Sequence, residues 1–467
     1  IQSHQSASPD LYFNWNFATQ MSLAIAALFS ADRLRHEAQR FVAALKELST
    51  SVVQQTQARA WLNPWCNQSL IQWLPLPWGL VWWLIGWGFE NSVALSRIGE
   101  RHAIPAAEVM LATVSALLLL ALAAWRRWPQ VAKLSAVSLP LYIFAAVYAW
   151  FAGPVTFTPS LNWGWLAWPV AAISFYFGLR KQERFIEMPH KFLSLQHIVG
   201  TWLFIGLIAA ELRAHLVDMP GIGEAWAMLA MVAAPVVVLF ALGRHWASQM
   251  WPLLTHRAVY AQAMATPIAV LLLWWCWGAN MGSAGDASPL PYLPLLNPLE
   301  LGLCLVLLSL FVWWRHLPKT ASIRLPDRAA GAIIAISAFA ILTAGVLRVV
   351  HHYAGVVWNA DALFDSRLAQ AAVSITWAIT GVSLMILGNR RASRMVWIAG
   401  AALLAIVVAK LFLIELADRG GLYRIVSFIG VGLAFLVVGY FAPVPVKPIE
   451  EEQKREELEP VQREEGV

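Results

Sequence analysis

Arg348, His351 and His352 stand at i, i+3 and i+4, a spacing that places all three on one face of a helix. The chain continues as "HHYAGVVWNADALFDS", which adds Trp358, Asp361 and Asp365. A guanidinium can hold an anionic group. An imidazole or a carboxylate, here His351 or Asp361, is the candidate acid or base. Two His near two Asp also have the donor types of a metal site, but the spacing fits no metal signature, and no metal is assigned. Lys410 lies inside the apolar run "AIVVAKLFLIEL", with Glu415 five residues on, about 140° around a helix and so a poor partner for it. Arg424 and Ser427 lie one turn apart, and Asn297 and Glu300 fall in "LNPLE". The candidate ligand-binding set is Asn297, Glu300, Arg348, His352, Trp358, Asp365, Lys410, Glu415, Arg424 and Ser427. Ionisable groups at membrane depth are costly and mark functional sites, unless they pair to fix packing or snorkel to the interface. For Lys410 both readings stand. Gln370, Ser374 and Trp377 form an i, i+4, i+7 stripe that could face it.

The elements that must position these groups are membrane helices. The chain has 467 residues, is 59% hydrophobic and only 13% charged, and contains 26 Trp. A soluble chain would carry about 25% charged residues. The hydropathy predicts an all-α, polytopic transmembrane helical bundle of about 13 spans. They are placed near 11–30, 70–89, 106–125, 133–152, 163–179, 197–213, 226–242, 260–279, 297–314, 329–348, 369–387, 395–416 and 424–441. Counted with the span ends that border them, odd-numbered connections carry 21 Lys and Arg and even-numbered ones 7. The positive-inside rule then puts the odd connections in the cytoplasm, the start of this chain outside and the C-terminal tail inside. The expected location is a bacterial inner membrane, with lipids as the surrounding partner. The net charge of +6 is spread over short connections and implies no nucleic acid. Cys66, Cys276 and Cys304 form no spaced pair. No Walker, Rossmann or nucleophile-elbow motif occurs, and no cofactor is assigned.

Three spans that begin outside open alike, in "FNWNF" (13–17), "LNWGW" (161–165) and "LNPLE" (296–300), around Asn14, Asn162 and Asn297. In the first two sets the next span ends in a glutamate, Glu90 or Glu211; in the third it ends in Arg348, His351 and His352. This suggests parallel four-span repeats, which aromatic belts and basic exits could also mimic. The expected division is 1–152, 153–279, 280–442 and a charged tail, 443–467, expected to be disordered. Within the first unit, Phe41, Leu45, Leu48 and Val52 form an apolar stripe in the cytoplasmic stretch 31–69, read as an interfacial helix or as one packed on the bundle. The stretch "GDASPLPYLPLLNPLE" (285–300) holds four prolines and lies on the outer side. It predicts a stiff loop, either a lid over a ligand or a rigid turn capping the bundle.

"SPLPYLPLLNPLEL", "LRVVHHYAGVVWNADALFDS" and "VAKLFLIELADRGGLYRIVSFIGVG", in that order, resemble a bacterial family of predicted membrane proteins, catalogued as domain of unknown function twenty-three thirty-nine. The resemblance is specific over about 280–443 and looser before it. It implies a polytopic helical fold and, since members run longer at the N-terminus, that this chain is the C-terminal part of a longer protein. Where members usually carry Asp after "KLFL", this chain has Glu415, which keeps the charge and lengthens its reach. The family supplies no activity to carry over. The leading functional reading is a periplasm-facing polar and aromatic site for an envelope glycan or lipid-linked ligand. The alternatives are a secondary transporter, with Glu90, Glu211 and Lys410 as coupling groups, and a membrane scaffold or sensor.

Overall fold

In hydrocarbon every backbone N–H and C=O must be bonded within its own segment, so long apolar runs become helices. The computed structural model describes residues 12, 14–48, 74–152, 157–185, 188–217, 219–244, 249–319, 321 and 323–411, with isolated positions at 429, 432, 433 and 436. All regular structure among these is helical. The order is α1 (Trp15–Leu48), α2 (Pro75–Arg97), α3 (Ile104–Arg126), α4 (Pro129–Leu134), α5 (Ser138–Ala152), α6 (Gly164–Phe185), α7 (His190–Val217) and α8 (Glu224–Leu242). A π-helical stretch (Val259–Met264) then leads into α9 (Ala265–Gly282), followed by α10 (Pro298–His316), α11 (Asp327–Ala354), α12 (Ala360–Asp365), α13 (Arg367–Arg390) and α14 (Arg394–Lys410).

Each expected span from the first to the twelfth overlaps a helix within the described residues. The thirteenth lies outside the described residues apart from isolated positions, as does the tail. Among the described residues, eight helical segments are long and apolar enough to cross a membrane. In their most apolar windows only 22% to 39% of residues are buried by the chain itself. Large apolar side chains such as Phe151, Ile173 and Trp274 face outward instead. A water-soluble helix buries its apolar face; here the outward faces are the apolar ones, as lipid contact requires. The expected apolar stripe after residue 31 begins on α1, which runs unbroken to Leu48; Val52 is outside the described residues.

The chain divides into two compact units. One comprises 1–273 with 308–324, the other 274–307 with 325–467. In the first, α1 packs on α2, α3 packs against α5 and α6, and α7 packs on α8. Its core joins Val109, Tyr142, Ala171, Phe175 and Leu179. Arg126 bonds Asp32 at 2.5 Å, and Arg35 donates to the Arg126 and Arg127 carbonyls, which fixes the extended end of α1 against the end of α3. In the second unit α13 packs on α14 and on α11. Met385 and Leu404 are buried between α13 and α14.

Tryptophan supplies many of the interhelical hydrogen bonds. Trp83 donates to Ser115, Trp202 to the Met264 carbonyl, Trp277 to Ser337 and Trp377 to Thr343, all at 3.0 or 3.1 Å. An indole N–H without a partner is penalised in an apolar medium, so these bonds select one rotation of each helix about its axis.

Candidate functional site

The proline loop of the second unit is anchored by the polar side chains that the sequence singles out. Arg348, in the C-terminal third of α11, has no solvent exposure. Its Nε donates to the Ser283 carbonyl at 3.2 Å, and its Nη2 donates to the carbonyl and Oδ1 of Asn280 at 2.7 and 3.1 Å. Its Nη1 lies 3.8 Å from Glu300 Oε1 and makes no hydrogen bond. Asn297 Nδ2 donates to the Gly285 carbonyl at 2.7 Å, and its Oδ1 accepts from Leu299 N. Gly285 has φ +77°, and a Cβ there would also press on Arg348 Cδ and Asn297, so glycine is required. His352 donates Nε2–H to the Ala284 carbonyl at 2.9 Å and stacks on Tyr292, with ring centroids 4.3 Å apart. Tyr292 in turn donates to Glu300 Oε1 at 2.6 Å. Burial and the Glu300 charge push the Tyr292 phenol well above its usual range. Asp286 accepts from the hydroxyl and backbone N–H of Ser288, and those bonds hold its carboxyl below the ordinary carboxylate value.

His351 donates Nδ1–H to the Val356 carbonyl at 2.6 Å, and its ring lies 6.1 Å from that of Trp358. Trp358 covers the Arg348 guanidinium at 5.4 Å. Asp361 and Asp365 are exposed on α12, whose first turn is capped by Asn359 accepting from Ala362 N. Arg348, Asn297, Glu300 and Tyr292, all buried, and the half-buried His352 thus form one network around the loop, with Trp358 as its cover. Lys410 Nζ donates to the Gln370 backbone carbonyl at 3.0 Å and to Ser374 Oγ at 2.6 Å, so of the expected stripe the Ser374 side chain meets it, while the Gln370 side chain turns to the Leu363 and Phe364 carbonyls. Trp377, the third, turns to α11 through Thr343. Glu415, Arg424 and Ser427 lie outside the described residues.

The asparagine openings share a contact that the sequence motif does not spell out. In each, the backbone N–H two residues before the Asn donates to a carboxylate. Tyr12 N donates to Glu90 Oε2 (3.2 Å), Ser160 N to Glu211 Oε2 (2.8 Å) and Leu295 N to Glu300 Oε2 (2.5 Å). Asn14 Nδ2 also donates to Glu90 Oε1 at 2.6 Å. Tyr12 and Leu295 hold φ of +64° and +67°, unusual for bulky residues, so the carboxylate secures a strained turn. In the third set the carboxylate comes from the first helix itself, and the end of the next span contributes Arg348.

The same end of the first unit holds a cavity of about 530 Å³. Arg101, His102, Tyr148, Asn162 and Trp168 are among its walls, with Ser92 and Ser96. Sequence reasoning passed over it, because its walls come from four separate segments with no shared spacing.

At the opposite, basic end of the first unit lies a second cluster that sequence reasoning missed. Glu183 Oε1 lies 2.7 Å from His197 Nε2 and 2.9 Å from His256 Nε2. Trp251 Nε1 donates to Glu183 Oε2 at 2.8 Å, and the Tyr260 hydroxyl lies 2.9 Å from His197 Nδ1. These three ligating atoms lie within 4.8 Å of one another, and they are the group among the described residues that could hold a metal ion.

Lipid-facing apolar helices, buried polar anchors at their ends and indole cross-links define a polytopic α-helical membrane protein. The family model described as "Predicted membrane protein (DUF2339)" matches residues 12–445, nearly the whole chain, and the protein belongs to that family. Neither the curated proteins nor the solved structures contain a match to it.

Proposed function

We propose that this DUF2339 protein is a multi-pass protein of the bacterial cytoplasmic membrane that binds a polar envelope ligand, a glycan or a lipid-linked headgroup, at its external end. The single observation that carries this reading is the 530 Å³ cavity of the first unit. That volume lies within the roughly 300–1,000 Å³ typical of small-molecule sites. Its walls combine a guanidinium for an anion, Tyr148 and Trp168 for the faces of a sugar ring, and Asn162, Ser92 and Ser96 for hydroxyls. It lies at the second and fourth connections and the span ends beside them, and the scarcity of Lys and Arg in the even-numbered connections supports an external position, with the tail on the cytoplasmic side. The acid–base candidates His351 and Asp361, and Arg348 as an anion holder, belong to the second unit. The anchoring of Arg348 to the loop favours the cavity as the place where ligand sits. Transport gains less support, since Glu90, Glu211 and Lys410 each have fixed local partners.

The test is native mass spectrometry on protein extracted with its own lipids, comparing wild type with Arg101→Ala and Tyr148→Ala. Arg101 and Tyr148 are both exposed, and the Tyr148 change gives up one surface ring contact, with Phe144, so both variants should fold. A discrete adduct on the wild type, weakened in both variants, is expected. Bulk phospholipid alone, equal in all three, would sink the proposal.

A further inference from the structure

We propose that Glu183, His197 and His256 bind one divalent transition-metal ion, zinc by the nature of the donors. Two imidazole nitrogens and a carboxylate oxygen suit zinc and its first-row neighbours and do not suit the oxygen-seeking Mg²⁺ or Ca²⁺. The three residues come from different elements. Glu183 is in the last turn of α6, His197 in the second turn of α7, and His256 lies just before the π-helical stretch. His197 is fully buried and His256 nearly so, and the Glu183 side chain is only 12% exposed. A carboxylate so enclosed needs a counter-charge.

The distances fit an ion after a small opening. Zinc ligands at about 2.0–2.2 Å in a tetrahedron stand roughly 3.3 Å from one another. The two Glu–His distances, 2.7 and 2.9 Å, must therefore widen by about half an ångström. The outer contacts are those that hold ligands in place at metal sites. Trp251 binds Glu183 Oε2 and leaves Oε1 free for the ion, and Arg180 lies over the Trp251 ring at 5.4 Å. Tyr260 meets His197 Nδ1 and turns Nε2 toward the ion. Tyr260 is presented by the π-helical stretch, a local departure that concentrates at functional sites.

Protons balance without any other group. In the ion-free cluster each imidazole donates Nε2–H to Glu183 Oε1. On binding, His197 moves its proton from Nε2 to Nδ1, the Tyr260 hydroxyl changes from donor to acceptor, and the neutral ring presents a lone pair to the metal. His256 makes the same change of tautomer. Three protein ligands leave a fourth position for water or a substrate oxygen.

The experiment uses the whole chain in detergent, stripped with a chelator, reloaded with Zn²⁺, freed of excess ion and measured for metal content and X-ray absorption at the zinc edge. One ion per chain is expected, with nitrogen and oxygen scatterers only and two imidazoles. Trp251→Phe should retain the ion with an affinity about 10–100-fold weaker. His197→Gln with His256→Gln should lose it. A monodisperse wild type that retains substoichiometric zinc overturns the proposal, as does full retention in the double variant or a spectrum without two imidazoles. The wild-type measurements decide the matter even if the double variant fails to fold.

Discussion

Replacing Arg348 with Met keeps an unbranched apolar stem out to about the position of Nε and removes the charge and the donors. The structure says what is lost. Three hydrogen bonds to Ser283 and Asn280 disappear, and Glu300, itself buried, loses the cation 3.8 Å away. Each acceptor left alone costs about 1–3 kcal/mol. The terms overlap, and removing one partner of a buried pair totals about 3–5 kcal/mol. At 1.36 kcal/mol per factor of ten, opening of the loop becomes roughly two to four orders of magnitude more frequent. Amide hydrogen exchange read by mass spectrometry on the 283–296 peptide, with the protein in lipid discs, measures this directly. Arg348→Met should accelerate exchange there while peptides from α3 and α6 are unchanged. Adding Glu300→Gln should recover part of the protection, because the stranded charge is gone. If the single variant exchanges like wild type in 283–296, the anchoring argument is refuted.

Three further outcomes follow from other contacts. Gly164→Ala should abolish folded yield on size-exclusion chromatography, since a Cβ there would lie 1.8 Å from the Pro159 carbonyl oxygen. Asn14→Ala removes the 2.6 Å bond to buried Glu90 and should lower stability by about 1–3 kcal/mol, seen as a reduced thermal midpoint that Glu90→Gln partly restores. The Asp286 carboxyl is depressed by Ser288, so its contribution to loop order is complete above about pH 4, the ordinary carboxylate value, and is lost as pH falls through the lower folded value. Ser288→Ala should raise that carboxyl toward the ordinary value in an NMR titration of Asp286. No change there would remove the hydroxyl from the explanation.

The helical fold was legible because apolar runs of span length have one solution in lipid. The stripe on α13 was legible in part: Lys410 meets the Ser374 hydroxyl, while at Gln370 it meets only the backbone carbonyl, because that side chain turns back to the Leu363 and Phe364 carbonyls. The asparagine openings drew attention to Asn14 and Glu90, which do bond. What the motif hid is that the recurring contact belongs to the backbone N–H two residues earlier, at Tyr12, Ser160 and Leu295, which side-chain type does not spell out. Arg348, Asn297 and His352 could be recognised as polar residues at a span end, yet not that they would turn inward to hold a loop. Glu183, His197 and His256 left no local trace: the two histidines stand 14 and 73 residues from Glu183 on separate elements, so no spacing within one helix relates them, and only the packing of three elements joins them. His197 alone reads as one polar residue in an apolar helix.

Helix lengths add a last consequence. α8 and α10 have 19 residues each, about 28 Å at 1.5 Å per residue, close to the ~30 Å of a hydrocarbon layer. α7 and α11 have 28 each, about 42 Å, and so overshoot that layer by some 12 Å. His197 lies near the start of α7 and Arg348 near the finish of α11. Both polar clusters therefore fall in the terminal thirds of helices longer than the layer, where a titratable group has a shorter way to an aqueous phase than it would from a helix midpoint.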